Sequence, residues 1–194
     1  MKEEFIANYQ IITRQGADKL LEWLRGTDFF TAPASTRFHL SRPGGLADHS
    51  VHVYQRLASL VDKARADGEA WADSVSAESV AIVGLLHDLC KTNFYAETTR
   101  NVKNEETGKW EKVPYYTVED QMPYGHGEKS VFIIERFMRL TVEEATAIRF
   151  HMGGFAQQPG DYSLSEAFKR YPLAVMAHCA DLQATYLDEG EEEI

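Results

Sequence analysis

Residues 80–91 read VAIVGLLHDLCK, and this stretch decides the fold. It is too densely apolar for a surface helix and too long for an ordinary strand, so it predicts a helix over about 77–91 at the centre of the core. Near its end stands the doublet His87-Asp88, an imidazole and a carboxylate in apolar text, where each needs a partner. Adjacent helix positions point about 100° apart. An ion about 2 Å from each donor nevertheless fits between the two directions. For a doublet standing alone the plainer reading is a core histidine bonded to a carbonyl and an aspartate solvated at a helix end.

Outward from this helix the text is mostly helical. Residues 17–24 carry apolar positions at helical spacing, and TAPASTRFHLSRPGG after them is loop-like. A long amphipathic helix follows over about 46–66, with Val51, Tyr54, Leu57, Leu60 and Val61 on one stripe. Residues 93–124 change character: FYAETTRNV and KVPYYTV are rich in β-branched and aromatic residues and flank the turn-like NEETGKWE, which predicts a β-hairpin. Helical pattern returns over 127–140. TVEE at 141–144 is a capping box opening the helix that leads to His151, and SLSE at 163–166 reads as a second box before a short helix through Phe168. The last helix runs from Pro172 to about Leu187, and the acidic DEGEEE after it is expected to be solvated and frayed. Gly44-Gly45 and Gly153-Gly154 suit tight turns and fit neither a P-loop nor a dinucleotide fingerprint.

The expected architecture is all-α, a helical bundle with one small β-hairpin insertion, in a single domain spanning 1–194. That length with 44% hydrophobic residues fills one core. The net charge of −10 disfavours a surface that wraps long nucleic acid, which needs clustered Lys and Arg. The two cysteines, Cys90 and Cys179, form no spaced pattern and read as core fillers in a reducing cytosol. No signal segment or membrane span is read, so a cytoplasmic protein is expected.

His49 opens one predicted helix, His126 opens another, His151 closes a third, and Asp181 lies inside apolar LAVMAHCADL. Burying these groups separately is expensive, and one cation relieves them all. Mixed imidazole and carboxylate donors suit Mn, Fe, Co, Ni or Zn better than Mg or Ca.

GGLADHS around His49, LLHDLCK around His87 and Asp88, and AHCADL around Asp181 resemble the HD-domain metal-dependent phosphohydrolase superfamily, over most of residues 44–187. The resemblance implies that His49, His87, Asp88 and Asp181 hold one ion, with Asp88 bridging to a second held by His126 and His151, and it favours Fe or Mn. It implies hydrolysis of a phosphate mono- or diester of a nucleotide or similar small molecule by a metal-activated hydroxide. Asp88 and Lys91 would carry catalysis, Lys91 as a point charge on the substrate phosphate, with Lys129 in a similar binding role. Each lysine also has an ordinary reading, Lys91 as a solvated helix-end cation and Lys129 as an exposed one.

His52 and His39 are candidates to line or support the site, the latter with Arg37 and Arg42, while His178 reads as packing. Tyr95, Trp110, Tyr115 and Tyr116 on the hairpin either stack on a base at the pocket mouth or pack on the bundle or a second subunit. GGLADHS also resembles the corresponding segment of HD exoribonucleases, which leaves open a 3′ to 5′ exonuclease on short single-stranded RNA or DNA, and a non-catalytic regulatory module in which metal serves stability is a further alternative. A homo-oligomer is also left open.

Overall fold

The computed structural model describes residues 1–105, 107–156 and 161–190. At its centre helix α5 (Ala77–Leu86) is buried from Val80 through Leu86, as its apolar density predicts, and Ser76 caps it by accepting from the Ser79 amide. The helix ends earlier than expected. Asp88 leaves it at φ −104° and ψ 21°, and Leu89–Lys91 continue as a 3-10 turn. The apolar run carries on through buried Leu89 and Cys90, so periodicity gives no sign of the break.

Helix α3 (Gly45–Ala66) packs along α5. Val51, Leu57 and Val61 of the predicted stripe are fully buried, and Tyr54 and Leu60 pack against the same core. The two backbones approach so closely at Gly84 that a Cβ there would lie 2.5 Å from Tyr54 Cα. Helices α6 (His126–Glu135), α7 (Val142–Arg149) and α9 (Pro172–Gln183) complete the bundle, α9 packing on both α3 and α7 and α6 on α7. Helix α2 (Ala17–Arg25) lies where its spacing places it. Helices α1 (Lys2–Tyr9) and α4 (Ala70–Ser74) were not legible: α1 buries only Phe5 and Tyr9, and α4 only Ala72.

The Thr141–Glu144 capping box forms in full. The second box does not: α8 (Ser163–Arg170) starts after Tyr162, placing Ser163 inside the helix, where its amide donates to the Asp161 carboxylate. Helix α6 stops at Glu135, short of the predicted 140. The hairpin is present, β1 (Tyr95–Lys103) pairing antiparallel with β2 (Trp110–Val118) in a register from Tyr95 opposite Val118 to Lys103 opposite Trp110. No described helix makes an extended contact with it.

Beyond α9 a π-helical turn (Ala184–Asp188) carries the chain back toward α3. The expectation of a frayed acidic tail is corrected here for its described part: Arg56 Nε donates to Asp188 at 2.8 Å, and Glu189 is buried. Positions 191–193 lie outside the described residues. On the opposite side Arg14 reaches Glu144 at 2.6 Å and Glu78 at 3.1 Å, and the Ser79 hydroxyl donates to Glu144 at 2.7 Å. No described helix is long and apolar enough to cross a membrane.

Candidate metal centre

Asp88, only 2% exposed, is the hub of the site. Its Oδ2 faces His49 Nε2 at 3.7 Å and His87 Nε2 at 3.6 Å, while its Oδ1 faces His126 Nε2 at 2.8 Å and His151 Nε2 at 3.4 Å. Asp181, from α9, approaches His49 Nε2 at 3.2 Å, and Lys91 Nζ lies 2.7 Å from Asp88 Oδ2. The six expected ligand positions therefore come together, with Lys91 beside them. Lys129 goes elsewhere. Although buried, it pairs with Asp120 at 2.5 Å and lies over the Phe94 ring, and it is not among the residues around the cavity.

Each element places its donor by local geometry. His49 sits in the first turns of α3, His87 is the C-cap of α5, and His126 is the first residue of α6. His151 comes just after Phe150, the C-cap of α7. Gly84 fixes the separation of α3 and α5, which sets His49 Nε2 3.3 Å from His87 Nε2.

The other ring nitrogens show what this cluster is built for. A carbonyl oxygen only accepts, so His87 Nδ1–H donates to Gly84 O at 2.9 Å and His151 Nδ1–H to Ile148 O at 2.6 Å. His49 Nδ1–H donates to the Glu189 carboxylate at 3.0 Å. In each of these three rings Nε2 is thereby the nitrogen that faces the carboxylates of the centre, and it offers a lone pair when the ring is neutral. The buried Nε2 of His151 completes no hydrogen bond among the described residues. Imidazole nitrogens and carboxylate oxygens converging on Asp88 fit a cation, and two of their groupings, His49-His87-Asp88 and Asp88-His126-His151, have donors spaced closely enough to hold one.

Among the carboxylates alone, the electrostatics favour a charged His49. Burial works against a charge on His49, but Asp181 and Glu189 overcome it and push the imidazole up to about 10. Burial, with neighbouring His151 and His49, pushes His87 down to about 3. Against their burial, Lys91 and the histidines hold Asp88 well below the usual carboxylate range, and His49 does the same for Asp181. Burial pushes the Cys90 thiol up, so it remains a neutral neighbour of His126, 3.3 Å from its Nδ1.

Above the cluster opens a cavity of about 530 Å³ whose polar floor is Asp88, Lys91, His126 and Asp181. Its walls include Phe38, Met152, Phe155, Leu182 and Tyr186. His39 lines it as expected, but Arg42 pairs with Asp48 at 2.7 Å and Arg37 lies over Phe38. His178, expected only to pack, lines the cavity and donates from Nδ1 to His151 O at 2.6 Å. The hairpin aromatics do not stand at the mouth: none of Tyr95, Trp110, Tyr115 and Tyr116 lines the cavity, and Tyr95 instead donates to Ala34 O. Glu189 was missed altogether, because its acidic neighbours give it the composition of a solvated run.

Comparison with known proteins finds no match among curated proteins or solved structures. The profile of the HD domain family matches residues 46–183. That span is well over half of the chain and holds His49, the His87-Asp88 doublet, His126, His151 and Asp181, so the protein belongs to the HD domain family.

Proposed function

We propose that the protein is a metal-dependent phosphohydrolase cleaving a phosphate mono- or diester of a nucleotide or similar small molecule. HD domains are generally metal-dependent hydrolases that act on small phosphorylated substrates. The observation that carries the finer reading is the division of Asp88, one oxygen toward His49 and His87 and the other toward His126 and His151. That division suits two ions sharing one carboxylate, and the donor set favours Fe or Mn, with Zn, Co or Ni also accommodated.

Divalent ions held there would supply a hydrolytic nucleophile from water at neutral pH and neutralise phosphoryl charge. Lys91 Nζ, at the cavity floor beside Asp88, binds a phosphate oxygen as a point charge. The deep burial of His49, His87 and His151 keeps bulk water from the reacting end. A cavity of about 530 Å³ lies within the range for a small molecule. Phe38, Phe155 and Tyr186 at its walls offer flat apolar faces to a base. Lys129, held by Asp120, is given no substrate contact.

The test is metal content per chain on protein purified without chelator, for the wild type and His126→Ala, with both assayed on nucleotides, cyclic nucleotides and short single-stranded RNA. Two metals falling to one, with nucleotide hydrolysis falling to background, is the expected result. Absence of metal, or content unchanged by the substitution, would sink the two-ion reading, and preferential turnover of RNA would replace the small-molecule substrate by an exonuclease one.

A further inference from the structure

The three histidines that direct Nε2 inward with an acceptor on Nδ1 are not anchored alike. His87 and His151 lie at helix ends, where carbonyls of the last turn have no amide partner within the helix, and each donates to the carbonyl three residues before it, Gly84 O or Ile148 O. His49 has no such acceptor. It sits inside α3, whose carbonyls are engaged in the helix ladder, and the carbonyl three residues before it, Leu46 O, also receives the Ser50 hydroxyl at 3.0 Å. An acceptor for His49 Nδ1–H must come from another part of the chain, and Glu189 is that acceptor.

We propose that Glu189 is a positioning residue of the metal centre, the carboxylate that orients His49 as a ligand. Its oxygens accept from His49 Nδ1 at 3.0 Å and from His52 Nδ1, one helical turn further along α3, at 2.7 Å, and His39 Nε2 lies 3.9 Å away. Two donors one turn apart on one helix hold the carboxylate against His49. The backbone secures it as well: the Glu189 amide donates to Ala184 O at 3.0 Å across the π-helical turn. A carboxylate on the far nitrogen holds the ring orientation and raises the basicity of the ligating one, which a neutral carbonyl does less strongly. The inference rests on the reading of the cluster as a metal site.

Affinity for Co2+ is the measurement, taken by titrating metal-free protein and following the ligand-field absorption, with far-UV circular dichroism on every variant to read the folded fraction. Glu189→Gln keeps the shape and removes the charge, and it is expected to weaken Co2+ binding by about 10- to 100-fold. Arg56→Ala loosens the same segment by cutting its tie to Asp188 while leaving the carboxylate in place, and it is expected to retain wild-type affinity. Glu189→Asp, charged but shorter, is expected to fall between Glu189→Gln and the wild type. Unchanged affinity in Glu189→Gln overturns the inference alone, as does an Arg56→Ala loss equal to it, which would make Glu189 only an anchor for the segment. A wild type that binds no Co2+ overturns the metal-site reading and the inference with it.

Discussion

Gly84 governs the site although it carries no functional group. A methyl group there would meet Tyr54 backbone at 2.5 Å, in the middle of two packed helices where neither side chain nor loop absorbs the shift. Gly84→Ala is therefore expected to destabilise the metal-free fold by about 2 kcal/mol, the usual scale of overpacking, read from urea unfolding, and to weaken metal binding as His49 and His87 separate. A variant as stable as the wild type would show that α3 and α5 have slack. The same scale shows why some site residues are legible in a sequence and others are not. Asp88 and Asp181 interrupt apolar text, where an unpaired carboxylate demands a reason; Glu189 stands among Asp188, Gly190 and Glu191, where a carboxylate demands none. Its role is set by contact with α3, more than a hundred residues away in the chain.

Elements with a strong period or composition, namely α2, α3, α5, α7, α9 and the hairpin, are legible from sequence, and their ends are less so. Helix α5 shows why: packing demands apolar residues on both sides of the break at Asp88, so its hydrophobic pattern does not change where its backbone does. The hairpin was legible as an element and its position was not, since β-propensity says nothing about where an excursion points. Its strands pair with each other and Trp110 is 70% exposed. Replacing residues 97–116 by Asn-Gly, a two-residue hairpin turn, is accordingly expected to change stability by less than about 0.5 kcal/mol and to leave metal content intact. Loss of the helical circular dichroism signal on that deletion would show that the bundle depends on the hairpin.

Across the whole molecule, the cluster around Arg14 ties the loop after α1 to the starts of α5 and α7, on the side away from the cavity. Burial works to raise Glu144, but Arg14, the Thr141 amide and the Ser79 hydroxyl overcome it and hold the carboxyl below its ordinary value of 4.5. A depressed carboxyl contributes stability above the unfolded value and loses it as pH falls through the folded one. Glu144→Gln is thus expected to cost about 3 kcal/mol at neutral pH, the low end for breaking a buried pair, because Arg14 is one-fifth exposed and keeps Glu78. The gap between variant and wild type should close as pH drops below 4.5, measured by denaturant unfolding at each pH. A gap independent of pH would show that Glu144 acts through packing.

The donors around Asp88 are contributed by segments running from α3 to α9, more than half the chain apart. Bringing such segments together costs loop entropy before any of their contacts form, and contacts so distant in sequence accumulate late in folding. An ion meets its full set of donors only once the helices have assembled, too late to serve as a nucleus. Interactions absent from the folding transition state slow unfolding without speeding folding. An ion held by these donors would therefore lengthen the life of a finished molecule and have little influence on how quickly a new one is made.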